Sequence, residues 1–390
     1  MKMIFNKNKK IVISAAYGMG NIGDEAICST LVNDIFYINN KVKITILAKD
    51  KNIFLQSHPD FVDDKRIKVQ QSFFLQSFLK EPKKLFNTFL SLLYIVNCDI
   101  FIWGGGGVIR DKVYWLKFYI CPLFFAQFIG KKIFIASIGV NEIYNDEVKK
   151  IVRKIKKASF FSVRDKKSKN NLLNILKNQK IAVVRDPVFH FKDYYNEEES
   201  IHKNEIFVIG LNLAFIENSD LYKEIKSNEF AVSLSKILNA VYSKRKYEIL
   251  YLPTDRDKDS ILFEKVKKNL NSNIVIKSVE SKNPSEYLDR LRTVNLLVSS
   301  RMHSFIMGSN IDYLPIISFV YDEKINVLRN ELLGNKDNWF SVNNILHNKE
   351  DIENKIINCI DFPRNNLLGF NKFYDDSRTI ITELSRYIKK

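Results

Sequence analysis

The sequence predicts an α/β protein of two Rossmann-like lobes whose parallel sheets face a central cleft. Three observations predict it. Short, continuous apolar runs alternate with helical segments along the chain, the pattern of strands covered by helices on both faces. The alternation stops at a polar, charged interval, Lys192–Asn204, and then restarts. Glycine-rich turns leave two of the early apolar runs and lead into helices. A chain of 390 residues also exceeds one ordinary core and suits two domains of somewhat under about 200 residues each.

In the first half, Ile11–Ala16 reads as a strand, Asp24–Phe36 as a helix and Val42–Ala48 as a strand. A long helical region follows, then strand Asp99–Trp103, helix Tyr114–Ile129, strand Lys132–Ile138 and helix Asp146–Lys157. Strand Ser159–Val163, helix Lys166–Lys177 and strand Ile181–Val184 complete the lobe. The second half reads as strand Ile206–Leu213, helix Ser233–Ser243, strand Tyr247–Leu252, a helix from Lys258 and strand Ile274–Ile276. Helix Ser285–Leu291, strand Leu296–Ser299, a helix from Met302, strand Pro315–Phe319 and a helix from Glu323 follow. The expected domains are 1–195, 205–348 and a helical segment, 349–390, that packs back on the first lobe.

Composition narrows the class. Hydrophobic residues at 46% and charged residues at 27%, without a low-complexity tract, describe a chain that folds throughout. Cys28, Cys98, Cys121 and Cys359 are scattered and form no metal-type cluster with the five histidines, which suits free thiols in a reducing cytosol and no bound metal. The opening MKMIFNKNKKIVISAAYG runs from basic residues through an apolar stretch into a glycine turn, which reads as a first strand and not as a signal peptide. Apolar stretches at 72–96 and 113–130 are interrupted by charge or proline and read as core helices, too short to cross a bilayer, with contact at a membrane interface as the alternative. A net charge of +17 favours anionic partners. Nucleic acid is disfavoured, because no recognition module is present. Peripheral contact with the inner membrane surface, or with a lipid-linked substrate held there, stays open.

Candidate chemistry sits at strand exits. Gly18-Met19-Gly20-Asn21-Ile22-Gly23 matches GxGxxG, with Asp50 available as a ribose acid. Yet Asp24 and Glu25 occupy the helix's first turn, where two carboxylates would repel a pyrophosphate. They either complement the helix dipole or bind a sugar hydroxyl. In Trp103-Gly104-Gly105-Gly106-Gly107-Val108-Ile109-Arg110-Asp111, four glycines bring backbone amides close to a ligand, with Gly105 and Gly106 central. Arg110 and Asp111 either line that site or pair with each other. Arg164-Asp165 and Arg185-Asp186 end two further strands, and Arg164 is the stronger candidate because it follows its strand directly. In Ser299-Ser300-Arg301-Met302-His303 a guanidinium and an imidazole lie two residues apart at a strand exit. Lys324 follows the next strand, so the three could share one anion site. His58, His190, His202 and His347 lack such company in the sequence.

Six segments together resemble the polysaccharide pyruvyl transferase family. They are Tyr17–Ile27, Gly104–Asp111, Ser162-Val163-Arg164-Asp165 with Ser168, Asp186-Pro187-Val188-Phe189, Ser300-Arg301-Met302-His303 and Tyr321-Asp322-Glu323-Lys324. Ala136-Ser137-Ile138-Gly139-Val140-Asn141 departs from the Gly-Gln-Gly-Ile-Gly-Pro-like turn usual in that family. The resemblance implies a GT-B-like fold and transfer of pyruvate from phosphoenolpyruvate to a sugar of a cell-surface polysaccharide or its precursor, as a ketal. It implies no metal or other cofactor, only phosphoenolpyruvate as co-substrate, and it associates Arg301-x-His303 with the donor site.

Arg301, His303, Lys324 and Arg164 are then expected to bind the donor, with His303 and Arg301 catalytic and Asp24 acting on the acceptor hydroxyl. Asn21, Asp24, Glu25, Gly105, Gly106, Arg110 and Asp111 form the acceptor or phosphate-cradling loops. The expected location is cytoplasmic, with the inner membrane face as an option. Two alternatives remain: a GT-B glycosyltransferase using a nucleotide sugar, and a non-catalytic binder of glycan or lipid carrier.

Overall fold

A computed structural model describes residues 8–73, 82–155, 158–177, 179–195, 206–214, 227–331, 338–362 and 370–389. The chain divides into two compact units. The first holds the chain up to Gly20, Asp24–His190 and Tyr374–Lys390, and the second holds Asn21–Gly23 and Phe191–Phe373.

The first unit contains strands β1 (Lys10–Ser14), β2 (Lys43–Ala48), β3 (Ile67–Gln71), β4 (Ile100–Gly104), β5 (Lys132–Ile138), β6 (Phe160–Val163) and β7 (Ala182–Val183). Every pairing is parallel, in the order β3-β2-β1-β4-β5-β6-β7. Its helices are α1 (Ile22–Ile38), α2 (Lys51–Ser57), α3 (Pro82–Val96), α4 (Val113–Phe128), α5 (Asp146–Val152) and α6 (Lys166–Leu173). The inner strands are apolar on both faces: all five residues of β4 are buried.

The second unit repeats the scheme with β8 (Val208–Asn212), β9 (Glu248–Tyr251), β10 (Ile276–Ser278), β11 (Leu296–Ser299), β12 (Ile316–Val320) and β13 (Trp339–Ser341). Their order, β10-β9-β8-β11-β12-β13, is that of the first six strands of the other sheet, and all pairs are again parallel. Helices α7 (Ser227–Lys244), α8 (Arg256–Lys267), α9 (Pro284–Arg292), α10 (Met302–Gly308), α11 (Glu323–Glu331), α12 (Val342–His347) and α13 (Lys349–Asp361) cover it. The last helix, α14 (Phe370–Ile388), groups with the first unit from Tyr374 onward, where Tyr387 meets Phe134 edge-on at 4.8 Å and Ser377 Oγ lies 2.6 Å from His190 Nδ1. The fold is therefore the α/β pair of parallel sheets that the strand pattern predicts.

Three local expectations need correcting. The region between Ala48 and Asp99 is not one helical stretch, because β3 interrupts it. Its sequence, IKVQQ, carries lysine and glutamines at an edge position, so it lacks the apolar run of a central strand. The strand expected at Ile274–Ile276 is β10, at Ile276–Ser278, and β13 adds a strand to those the sequence predicts. Finally, α3 is no ordinary core helix. Its inward positions are Thr88, Ser91 and Ile95, while Leu85, Phe86, Phe89, Leu93 and Val96 are exposed.

Candidate functional site

In an open α/β sheet, ligands bind outside the carboxyl ends of the strands, where the strand order reverses. In the first unit that point lies between β1 and β4, the strands that lead into the two glycine-rich turns. In the second it lies between β8 and β11, and Arg301 follows β11.

In the first unit, Glu25 is fully buried and holds the turn after β1. Its Oε1 accepts from the Gly18 N–H at 2.8 Å and the Met19 N–H at 3.3 Å, and Oε2 lies 3.0 Å from His58 Nε2. The other imidazole nitrogen is 3.1 Å from Ser29 Oγ. With both oxygens engaged in the interior, Glu25 works as a loop anchor. Its neighbour Asp24 is only partly buried and borders the second turn. A Cβ on Gly106 would lie 2.5 Å from Asp24 Oδ1, and Gly106 has φ 75°, so both space and backbone call for glycine there. Gly105, at φ 87°, packs on Ile27. These glycines are thus needed for packing within the fold, whatever else they approach.

Two tyrosines complete this edge. Tyr17 donates its hydroxyl hydrogen bond to the Gly104 carbonyl, and burial pushes its phenol up, helped by Cys28, Asp24, Glu25 and Asp186. Burial, then Asp24, also raises the phenol of Tyr119. Arg110 donates from Nε to the Gly107 carbonyl at 2.9 Å and lies 4.3 Å over the Trp115 ring. Asp111 accepts from the Tyr144 and Asn145 amides at 3.2 and 3.0 Å, tying the loop after β5. Asp50 caps α2 through Asn52 and Ile53, and Asn21 Oδ1 accepts from the Gly23 N–H at 2.9 Å.

Arg164 follows β6 and is buried, with Nε 3.3 Å from Asp165 Oδ2. A Cβ on Gly139 would lie 2.7 Å from its Cζ, so the guanidinium rests on the backbone where β5 ends. Ser137 in that exit has φ 49°, a left-handed conformation costly for a residue with a Cβ. Its hydroxyl donates to the Arg185 carbonyl at 3.1 Å, and Arg185 Nη1 donates to the Arg164 carbonyl at 3.4 Å. The exits of β5, β6 and β7 are therefore cross-tied.

In the second unit, Arg301 directly precedes α10, and its Nε donates to Asp259 Oδ1 at 2.8 Å, with Nη2 on the same oxygen. Asp259 is fully buried, and its Oδ2 accepts from the Thr254 and Asp255 amides at 2.9 and 3.1 Å. Burial works against the guanidinium's charge, but Tyr321 and Asp259 outweigh it and hold Arg301 firmly protonated. His303 stands in the first turn of α10, one residue beyond Met302. Lys324 stands in the first turn of α11, directly after β12, the parallel neighbour of β11. The topology thus brings Arg301, His303 and Lys324 to one edge of the second sheet, as Asp24, Gly105, Gly106 and Arg110 share one edge of the first. Arg164 and Asp111 lie further along that first sheet.

A cavity of about 320 Å³ beside β9 is lined by Asp257, Glu264 and Glu280 together with Lys267, an acidic setting unsuited to an anion. Two participants escape sequence inspection. Asp259 hides in the charged run Asp255–Asp259 that resembles a solvated helix start, and His58 meets Glu25 across 33 residues of chain. The only advance signal for Asp259 is a carboxylate one helical turn beyond a strand exit.

Among solved structures, the chain is similar to UDP-GlcNAc 2-epimerase from Methanocaldococcus jannaschii, at 15% identity and TM-score 0.56, covering 96% of this chain and 98% of that one. It is similar to UDP-GlcNAc 2-epimerase from Neisseria meningitidis bound to UDP-GlcNAc, at 11% identity and TM-score 0.55, covering 97% and 100%. It is also similar to a glycosyltransferase from Rickettsia africae, at 14% identity and TM-score 0.56, covering 98% and 99%. At such identities the likeness shows the fold alone. No curated protein matches the chain. The model of the family described as polysaccharide pyruvyl transferase matches residues 21–310, a span that takes in the Asp24 turn, the glycine turn, Arg164 and the Arg301-x-His303 motif. The chain belongs to the polysaccharide pyruvyl transferase family.

Proposed function

We propose that the chain transfers pyruvate from phosphoenolpyruvate to two hydroxyls of a sugar in a cell-surface polysaccharide or its precursor, forming a ketal and releasing phosphate. The observation that carries this reading is Arg301, a guanidinium held by the buried Asp259 at the switch point of the second sheet, with His303 two residues on. An oriented, permanently charged guanidinium suits a carboxylate or phosphate. Lys324, at the exit of the next strand, adds a second cation for a donor that carries both groups.

The enol methylene carbon gains a proton and becomes methyl, and the first sugar hydroxyl bonds to the adjacent carbon while its own proton passes to a base. The carbon–oxygen bond to phosphate then breaks, phosphate leaves with the electron pair, and the second hydroxyl closes the ketal as it loses its proton. His303 is assigned the proton transfer, because an imidazole serves as either acid or base near neutral pH. Arg301 and Lys324 grip the donor. Asp24 is assigned to orienting the acceptor hydroxyl. Asn21, Arg110 and the glycine turn with Gly105, Gly106 and Asp111 belong to the acceptor side, and Glu25 supports that side from the interior. We place this reaction in the cytoplasm.

The testing experiment incubates the protein with phosphoenolpyruvate and a panel of lipid-linked and nucleotide-linked sugars. Acceptor-dependent phosphate release supports the proposal. Nucleotide release from a sugar nucleotide, with phosphoenolpyruvate left intact, would transfer the protein to the glycosyltransferases instead.

A further inference from the structure

The helix pair on one side of the first sheet is arranged the wrong way round for a water-exposed surface. In α3, the positions turned to the protein are Thr88 and Ser91 with Ile95, and Ser91 donates to the Gln71 carbonyl at 2.7 Å. Gln70 reaches the Asn87 side chain at 3.3 Å. The positions turned outward are Leu85, Phe86, Phe89, Leu93 and Val96, with Phe86 63% and Phe89 56% exposed. A helix of a soluble surface normally shows the opposite pattern.

The adjoining helix α4 is apolar around most of its circumference, interrupted by Lys117 and Gln127. Its outward residues include Tyr114 and Phe128, the latter 83% exposed, with Phe118 and Phe125 partly exposed between them. The two helices are neighbours within one unit, so their outward faces adjoin. Apolar exposure on this scale marks an interaction surface.

Charge identifies the occupant. Lys131 sits at the end of α3, donating to the Val96 and Cys98 carbonyls at 2.6 and 2.9 Å. Lys68 lies 5.8 Å over the Tyr94 ring of α3, and exposed Lys112 precedes α4. A second copy of a chain carrying +17 would be repelled. We infer that the α3–α4 face docks, without spanning, on a bilayer that contains anionic lipid, with Phe86, Phe89 and Phe128 entering the acyl boundary and the lysines at headgroup level. No helix among the described residues is long and apolar enough to cross a membrane. The inference does not depend on the proposed reaction.

Flotation of the full chain with vesicles tests it. The wild type is expected to float with phosphatidylcholine–phosphatidylglycerol vesicles, less with pure phosphatidylcholine, and less again at high salt. The F86S/F89S/F128S variant, checked for folding by circular dichroism, should bind at least about tenfold more weakly. Should that variant misfold, Phe89→Trp serves instead, and the indole emission it adds to that of the wild type should shift to the blue when anionic vesicles are added. A wild type that ignores both vesicle types, a folded triple variant that floats equally well, or an added indole emission unmoved by vesicles would overturn the inference. So would a wild-type dimer that the triple variant converts to monomer in the absence of any vesicle binding.

Discussion

Arg301 gives two of its nitrogens, Nε and Nη2, to a single oxygen of Asp259, while the other oxygen of that carboxylate collects the amides of Thr254 and Asp255. One buried side chain thereby fixes both the angle of the guanidinium and the loop after β9. Removing one partner of a buried pair leaves an uncompensated charge, so Asp259→Ala is expected to lower stability by about 3–5 kcal/mol in chemical denaturation. Asp259→Asn keeps the shape and gives up the charge. It should stay folded and raise the KM for phosphoenolpyruvate about tenfold, with a smaller change in kcat.

His303 carries the proton-transfer assignment. Replacement by alanine should lower phosphate release from phosphoenolpyruvate by about 10²–10⁴-fold, the range general acid–base catalysis contributes, with an unchanged thermal transition. Turnover at the wild-type rate would remove His303 from the mechanism.

Glu25 and His58 form the corresponding interior device in the first unit. Glu25→Ala strips the Gly18 and Met19 amides of their acceptor and leaves His58 Nε2 without its carboxylate. A loss of about 1–3 kcal/mol or more is expected, together with faster hydrogen exchange at those two amides. Exchange that stays at the wild-type rate would show that the carboxylate does not hold the loop.

The thiols report on packing and pH. Burial pushes the Cys98 thiol up to about 12 and Cys359 up to about 11, and it raises Cys28 as well. A disulfide reagent at mildly alkaline pH should therefore label only Cys121 quickly in the native chain, and all four cysteines after unfolding. These groups keep their protons in the folded state above the ordinary thiol range, where the unfolded chain has lost them. Their contribution is complete below about pH 9 and declines as pH rises toward 11–12. Denaturation midpoints measured from neutral to alkaline pH should fall across that window.

Most of the architecture was legible because continuous apolar strands and the breaks between them are local properties. The central strands β1, β4, β8 and β11 announce themselves by runs of Ile, Val, Leu and Phe. The edges were harder: β3 and β13 carry polar residues or too few residues to stand out. The glycine turns were legible as turns, but Gly106 owes its identity to an Asp24 that lies far from it in the chain.

By itself, then, the sequence determined the two parallel sheets, the strand exits bearing Asp24, Arg164, Arg301 and Lys324, and the motifs that match the family. Tertiary structure alone decided which charges are paired and which surfaces are covered. It seated Asp259 under Arg301 and His58 under Glu25, and it turned the apolar stripe of α3 outward. The reason is physical. Periodicity and turn chemistry act between residues close in sequence, whereas burial and ion pairing depend on contacts that exist only after the sheets have assembled.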